Sequence, residues 1–339
     1  MTKINVGLIG AGRIGRVHAE HLAFCIPEAD LVAVSDVVVS AAEKLASDFQ
    51  VPSVVSQYQQ MLENPSIDAV IICSSTDTHA QMIEEAAAAG KHIFCEKPID
   101  HDLSKIDHVL RVVDEAGVKF QVGFNRRFDP NFQRVREIVA QGDIGEPHIL
   151  RITSRDPAPP PLDYIKVSGG IFLDMTIHDF DMARFLIDQE VEEVYVAGGV
   201  MVDPKIGEAG DIDTALILLR FENGVVGTID NSRQAVYGYD QRVEVFGSGG
   251  CVTADNNYPN TIAVSDAGSV HRDLPLNFFM ERYIESYIAE MKAFVQCILE
   301  GTEPPVSGID GRIPVVMGYA AKRSYEENRP VKLSEVDLA

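Results

Sequence analysis

A glycine-rich segment directly after the first apolar run constrains this fold more than any other feature. It reads G-A-G-R-I-G and consists of Gly10, Ala11, Gly12, Arg13, Ile14 and Gly15. Residues 3–9 before it have the apolar character of a short buried strand, and the residues after it suit a helix. Asp36 ends the next apolar run, about 20 residues further on. In this context the G-x-G-x-x-G pattern predicts a strand, a tight turn and a helix that together bind a dinucleotide.

Each glycine of the pattern has its own physical reason. Gly10 permits the tight turn, Gly12 lets the backbone approach the pyrophosphate, and Gly15 allows the helix to pack closely on the strand. The phosphates then lie at the helix N-terminus, where free N–H groups and the helix dipole favour anions. A glycine-rich turn without a ligand is the alternative interpretation.

Asp36 indicates which dinucleotide is bound. A carboxylate at this position accepts hydrogen bonds from both ribose hydroxyls of NAD and repels the 2′-phosphate of NADP. Val37, Val38 and Val39 follow it, so no arginine stands next to Asp36 to offset that repulsion. We therefore expect NAD as the cofactor, while the basic Arg13 in the loop leaves modest use of NADP open.

The order of apolar runs predicts an α/β protein of two domains. Up to residue 123, short β-type runs at residues 31–36, 69–73, 92–96 and 119–123 alternate with helical segments, which favours a parallel sheet. We expect residues 1–123 to form a Rossmann NAD-binding domain. The β-type runs of residues 124–339 follow one another with hairpin turns, which predicts an α+β domain with a large, mostly antiparallel open sheet.

Charge and composition exclude several functional classes. The chain has 51 acidic and 29 basic residues and a net charge of −22, and we find no local basic patch, so a nucleic-acid partner is not expected. The apolar runs are too short for a membrane helix. None of the five cysteines forms a C-x-x-C pair, which is typical of reduced thiols in a cytoplasmic protein.

Three residues are candidates for chemistry. Lys97 follows a strand whose carboxyl end should open onto the cofactor crevice, and Pro98 restricts its backbone to extended conformations. We expect one helix over residues 171–186, which would place Asp174 and His178 on one face at i, i+4. A carboxylate beside an imidazole fixes its tautomer and stabilises the protonated ring, as a general base requires.

A metal site is the other interpretation of this segment. Asp179 and Asp181 lie beside His178, but no H-x-x-x-H or C-x-x-C pattern completes a ligand set, so we expect no metal. Surface charge for Lys97 and a buried structural role for His178 also remain possible for each residue taken alone.

These motifs resemble the glucose–fructose oxidoreductase/inositol dehydrogenase/rhizopine-catabolism (Gfo/Idh/MocA) family over nearly the whole chain. The resemblance rests on motifs in both halves: residues 10–15, Asp36, Thr78-His79, Glu96-Lys97-Pro98, residues 123–128, and Asp174 with His178. Within the family, residues 155–161, 173–179 and 237–240 are most similar to the inositol-oxidising members. The resemblance implies NAD-dependent oxidation of a ring hydroxyl of myo-inositol, or of a close isomer, to a ketone.

The resemblance also implies roles for individual residues. Lys97, Asp174 and His178 match the catalytic set. The cofactor site adds side chains at the strand ends to the glycine loop and Asp36, namely Ser74, Thr76, His79, Glu96 and Lys97. The polyol pocket is implied to involve Arg127, Asp156, Tyr237, Tyr283 and Tyr287. Tyr283 and Tyr287 equally fit the apolar stripe of a helix. The exposed face of the second sheet is implied to join copies into a dimer or tetramer.

Two other functions remain open. One is a dehydrogenase or reductase for another cyclic polyol or a sugar, because a polar pocket that binds one ring of hydroxyls can bind another. The other is a dinucleotide-sensing regulator without catalysis, although such a protein would not need all three candidate catalytic residues.

Overall fold

The computed structural model describes residues 3–337, and its contacts divide the chain into two units. The first unit comprises the residues up to Phe128 together with Glu285–Ile313. The second comprises Asp129–Ile284 and the residues from Pro314 onwards. Within residues 3–337, none of the helices combines the length and the apolar character that a membrane span requires.

The first unit contains a six-stranded parallel sheet with the strand order β3-β2-β1-β4-β5-β6. Its elements up to Phe128 are β1 Ile4–Ile9, α1 Arg13–Phe24, β2 Ala29–Ser35, α2 Val39–Phe49, β3 Ser53–Val55, α3 Gln59–Leu62, β4 Ala69–Ile72, α4 Thr76–Ala88, β5 His92–Glu96, α5 Leu103–Ala116, β6 Phe120–Gly123 and a 3₁₀ turn at Asn125–Phe128. The predicted alternation of strands and helices is confirmed, and this order is that of a Rossmann fold.

The elements of the second unit up to Ile284 are α6 Pro130–Gln141, β7 Pro147–Arg155, α7 Leu162–Ile165, α8 Gly170–Asp174, α9 Ile177–Ile187, β8 Val191–Gly199, α10 Pro204–Glu208, β9 Thr214–Phe221, β10 Val226–Ser232, β11 Asp240–Gly247, β12 Gly250–Ala254, β13 Ala263–Ser265, β14 Val270–Arg272 and α11 Phe279–Arg282. The C-terminal part of the chain adds α12 Ile284–Glu300, α13 Gly308–Glu327, β15 Val331–Lys332 and α14 Ser334–Asp337.

The second unit is built on a seven-stranded sheet with the order β12-β11-β7-β10-β9-β8-β15. Every neighbouring pair is antiparallel except β7 and β10, which run parallel. The predicted mostly antiparallel sheet is therefore confirmed. Strand β9 shows strict alternation: Ala215, Ile217 and Leu219 are buried, whereas Leu216 and Leu218 are 51% and 47% exposed. One face of this strand is packed and the other is open.

Helix α12 packs with the first unit, although its position in the chain suggested the second domain. Met291, Phe294, Val295 and Cys297 of this helix belong to one buried apolar cluster with residues of β1, β2, β4 and α1. Apolar contact with the parallel sheet accounts for the place of α12 in the first unit. A domain boundary drawn at residue 123 does not predict that place.

Candidate active site

The glycine-rich loop joins β1 to α1 in a conformation that only glycines permit at two positions. Gly10 has φ +103°, and a Cβ there would lie within 2.6 Å of the Cys73 backbone. A Cβ on Gly15 would collide with the carbonyl oxygen of Gly10. A Cβ on Gly12 would meet no atom within 4 Å. The loop therefore leaves open space at Gly12, directly before the N-terminus of α1, which fits a pyrophosphate.

Asp36 follows β2 and holds two backbone segments. Its Oδ2 accepts a hydrogen bond from the Ala11 N–H at 2.6 Å, and its Oδ1 accepts one from the Val38 N–H at 2.7 Å. The half-buried carboxylate thus lies against the glycine-rich loop, while Val37 beside it is almost fully exposed. This is the arrangement expected for recognition of an NAD ribose.

His79 joins the chain after β4 to the chain after β5. The ring is buried, with Nε2 3.0 Å from the carbonyl oxygen of Ser74 and Nδ1 2.8 Å from that of Pro98. The Ser74 hydroxyl lies 2.7 Å from that of Thr78, and the half-buried Thr76 begins α4. The predicted cofactor residues after β4 therefore lie together at the carboxyl end of the sheet, bonded to the segment that carries Lys97.

Glu96 is the last residue of β5, and its carboxylate contacts a buried histidine. His18 on α1 is fully buried, and its Nε2 lies 2.7 Å from Oε1 of Glu96. One oxygen of the buried Glu290 on α12 joins them, and these three ligand atoms lie within 4.8 Å of one another. Lys97 follows, half-buried. Sequence reasoning missed His18 and Glu290, because they lie far from Glu96 along the chain.

Two candidate substrate residues of the first unit have partners inside that unit. Arg127 donates from Nη2 to Oδ1 of Asp310 at 2.9 Å. Tyr287 is buried and packs edge-on against the ring of His18, with 5.7 Å between the ring centroids. The contact of Tyr287 is that of a core residue, whereas the guanidinium of Arg127 is partly accessible.

The prediction of one continuous helix over residues 171–186 is wrong, because the helix is interrupted between α8 and α9. The Thr176 N–H donates to the carbonyl oxygen of Ile171 at 2.9 Å, and the Thr176 hydroxyl lies 3.2 Å from the same oxygen. The same hydroxyl lies 2.6 Å from Oδ1 of Asn231 on β10. Asp174 therefore ends α8 and His178 lies in the first turn of α9, so they do not occupy i, i+4 positions of a single helix.

Side chains from elsewhere in the second unit hold both carboxylate oxygens of Asp174. The Tyr164 hydroxyl donates to Oδ1 at 2.8 Å, and Nη1 of Arg233 donates to Oδ2 at 3.2 Å. The Asp174 side chain is 13% exposed and that of Arg233 only 1%. His178 is half-buried in the first turn of α9. Tyr164 and Arg233 were not predicted, since no local motif links them to Asp174.

The other candidate substrate residues of the second unit differ in exposure. The half-buried Asp156 is fixed through its backbone, which bonds Ser232 and Ala235. The Tyr237 hydroxyl accepts from Arg155 and donates to Asp240 at 2.6 Å. Burial, with the bond to Asp240, raises the pKa of Tyr237. Tyr283 is 2% exposed and packs edge-on against Tyr239, as a core residue does.

The residues around His178 give no support to a metal site. Asp179 is fully buried, and its Oδ2 accepts from Asn231 at 2.9 Å, which anchors α9 to the sheet. Among residues 3–337, the cluster of His18, Glu96 and Glu290 is the one group of three ligand-type side chains close enough to share an ion. Its direct contact between imidazole and carboxylate is that of a hydrogen bond.

Family models match both halves of the chain. Residues 4–124 match the model described as an oxidoreductase family with an NAD-binding Rossmann fold. Residues 132–253 match the GFO/IDH/MocA C-terminal domain.

Individual relatives are similar over almost their full length. A myo-inositol 2-dehydrogenase of Thermotoga maritima is 51% identical over 98% of this chain and 99% of that protein. The crystal structure of a dehydrogenase from Thermotoga maritima, also 51% identical, has a TM-score of 0.97 and covers 98% of this chain and 100% of that one. A scyllo-inositol dehydrogenase from Lactobacillus casei, solved with NAD(H) and scyllo-inositol, is 32% identical with a TM-score of 0.92; the match covers 98% of this chain and 100% of that one.

Proposed function

Because the chain belongs to the GFO/IDH/MocA family of oxidoreductases, we propose that it oxidises an inositol with NAD. The observation that carries this proposal is the 51% identity to a myo-inositol 2-dehydrogenase over nearly the full length of both proteins. The product is the corresponding keto-inositol, formed at one ring hydroxyl. Lys97, Asp174 and His178 are the catalytic residues of this proposal.

The first unit fits the cofactor. The open space at Gly12 accommodates the pyrophosphate, and the Asp36 carboxylate suits the adenosine ribose. Ser74, Thr76, His79 and Glu96 lie at the carboxyl ends of β4 and β5, where the nicotinamide half of a dinucleotide binds in this fold. NAD supplies the hydride acceptor of the reaction.

Three side chains act on the proton of the reacting hydroxyl and on the negative charge that develops on its oxygen. His178 takes the proton of the reacting hydroxyl as general base. Asp174 orients the imidazole and stabilises it once it is protonated, as the acid of a catalytic triad does. Lys97 donates a hydrogen bond to the same oxygen and stabilises the negative charge that develops there. The hydrogen on carbon leaves as hydride.

The remaining ring hydroxyls require polar partners. Arg127, Asp156 and Tyr237 are the residues we propose for this task, and each is at least partly accessible. Tyr283 and Tyr287 are buried among core side chains. We therefore expect a substitution of either residue to affect substrate binding only indirectly, through the neighbouring backbone.

We also propose that the protein is cytoplasmic and assembles into a dimer or tetramer. All five cysteines are free thiols, as is usual in a reducing compartment. Four apolar side chains on strands of the second sheet are 45–51% exposed: Leu216, Leu218, Val226 and Phe246. Such a row on a monomer is typical of an association surface.

A substrate screen tests the function. NADH formation is followed with myo-inositol, scyllo-inositol, glucose, xylose and galactose at equal concentrations, and His178→Ala serves as the control for background activity. We expect at least one inositol to have a higher kcat/KM than any of the sugars. Robust oxidation of a sugar with no turnover of either inositol would refute the inositol assignment and leave the family assignment intact.

A further inference from the structure

A fully buried arginine lies behind the proposed catalytic carboxylate. Arg233 directly follows β10, and its side chain is 1% exposed. Its Nη1 donates to Oδ2 of Asp174 at 3.2 Å, and its Nη2 lies 3.7 Å from Oδ2 of Asp211. A charge at this depth is tolerated only with counter-charges beside it, and Arg233 has two.

Asp211 and Arg233 contact the two ends of the short helix α8. At its first turn, Oδ1 of Asp211 accepts from the Ile171 N–H at 3.0 Å. Gly170, with φ +79°, lies against the same carboxylate, and a Cβ there would be 2.8 Å from it. At the other end, Arg233 contacts Asp174. The ion pair between Arg233 and Asp211 closes a ring of contacts around α8.

Two other buried acids of the second unit, Asp213 and Asp179, have partners of their own. The Asp213 carboxylate accepts hydrogen bonds from the backbone N–H groups of residues 201–203. Burial acts to raise the pKa of Asp213, but these bonds outweigh it, so the pKa lies below its usual value. The Asp179 carboxylate is bonded to Asn231. Tyr164 is a neutral donor to Asp174, and Asp181 is a further buried acid on α9. Arg233 thus places a positive charge directly on the Asp174 carboxylate.

We propose that Arg233 is a positioning residue. Through its contact with Asp174 it sets the protonation of His178, which the proposed function pairs with Asp174, and Asp211 moderates this effect. The inference rests on the proposed function, because it assigns a role relative to His178. It extends that function, since neither residue belongs to the catalytic set.

The charges predict opposite effects for the two residues. A positive charge near the pair disfavours its protonated form, so Arg233 lets His178 act as a base at lower pH. Loss of Arg233 makes the pair hold its proton to higher pH. Loss of the Asp211 charge removes a counter-charge to Arg233, so the net positive charge beside Asp174 increases. The pair then releases its proton at lower pH. A purely structural role would lower activity in both variants without moving either profile.

The experiment measures kcat/KM for inositol oxidation against pH in Arg233→Met, Arg233→Lys and Asp211→Asn. The acid limb of this profile reports the essential base of the free enzyme. We expect Arg233→Met to move the limb up by about 0.5 pH unit or more, and Asp211→Asn to move it down by about 0.3 unit. Arg233→Lys keeps the charge and should leave the limb close to that of the parent.

Two further measurements keep the outcomes separate. Thermal unfolding and NAD binding identify a variant that fails to fold, and if Arg233→Met fails, the downward shift in Asp211→Asn decides. The role of Arg233 would be overturned if the acid limb of the pH profile stayed in place in every folded variant. It would also be overturned if the limb moved in the same direction in Arg233→Met and Asp211→Asn. If His178→Ala keeps near-parental turnover, the proposed function fails instead, whatever the Arg233 variants do.

Discussion

Oδ2 of Asp36 accepts a hydrogen bond from the backbone N–H of Ala11 at 2.6 Å. The acid at the end of β2 and the glycine-rich loop after β1 are therefore one bonded unit. Any substitution of Asp36 alters both its charge and the support of the loop, so a test of cofactor choice must separate these two effects.

NAD should be used with a higher kcat/KM than NADP, because the Asp36 carboxylate repels a 2′-phosphate. Asp36→Ser combined with Val37→Arg should narrow or reverse this ratio. Asp36→Asn is the matched control, since its amide oxygen can still accept from Ala11 while the charge is removed. Steady-state kinetics with both cofactors measures the ratio, and equal or better use of NADP by the parent protein would contradict the expectation.

Two alanine substitutions in the glycine-rich loop should have different effects. A Cβ on Gly12 meets no protein atom within 4 Å, so Gly12→Ala should fold normally and bind NAD at least about tenfold more weakly. A Cβ on Gly15 collides with the Gly10 carbonyl, so Gly15→Ala should be destabilised by about 1–3 kcal/mol. Urea unfolding and NAD titration by fluorescence distinguish the two. Equal loss of stability in both would mean that Gly12 has a structural role.

His178→Ala should lower kcat by roughly 10²–10⁴-fold, the usual contribution of a positioned acid–base group. NAD binding should survive, because the residues that we propose for dinucleotide binding lie in the first unit. Asp174→Asn and Lys97→Ala should also reduce kcat strongly. Combined variants should lose far less than the product of the single losses, as expected for groups that act together. Multiplicative losses in the double variants would indicate independent roles.

Oxidation by the parent should rise with pH as the imidazole of His178 loses its proton. An isolated imidazole does so near pH 6.5. A kcat/KM profile between pH 5 and 9 checks this for the parent. A flat profile would mean that the essential base is another group.

The open face of the second sheet should mediate association between copies. Leu218→Glu together with Leu216→Glu places two charges on this face and should shift the protein towards the monomer. Ile309→Glu is the control, because Ile309 is similarly exposed, at 53%, and lies at the start of α13 in the other unit. Light scattering after size exclusion gives the mass of each variant. A parent that is already monomeric would remove the basis of this prediction.

Stability should fall in mild acid because of His21. Burial, with a smaller contribution from His18, lowers the pKa of His21 to about 4 from an ordinary value of 6.5. The unfolded chain therefore binds a proton between pH 6.5 and 4 that the folded chain does not, and stability decreases as the pH falls through that window. We expect a loss of about 1–2 kcal/mol between pH 7 and pH 5.

His21→Gln should reduce this pH dependence, whereas His271→Gln, at a well-exposed site, should not change it. Urea unfolding at pH 7 and pH 5 provides the comparison. An unchanged slope in His21→Gln would place the acid sensitivity elsewhere.

Local sequence patterns predicted the parts of this protein that depend on local geometry. The glycine-rich loop, Asp36 and the strand ends that carry Lys97 lie where the motif requires, because turn conformation and apolar periodicity are encoded within a few residues. The strands β3 and β15, of three and two residues, were not predicted, because runs so short give no periodic signal.

Contacts between distant segments account for what the patterns missed. The helix break before His178 depends on the bond between Thr176 and Asn231, which lie 55 residues apart. The parallel pairing of β7 with β10 joins segments that are also far apart in the chain. Arg233 reaches Asp174 across 59 residues. Periodicity reports which face of an element is buried, but not which remote side chain meets it.

The placement of α12 has a consequence for synthesis on the ribosome. The sheet of the first unit is complete once residue 123 has been made, but its buried cluster also requires Met291, Phe294 and Val295. Until those residues leave the exit tunnel, the apolar surface that they cover stays in contact with water or with a chaperone. The emerging Rossmann unit therefore passes most of its synthesis time with an unfinished core, and its final closure depends on contacts of high sequence separation, which form slowly.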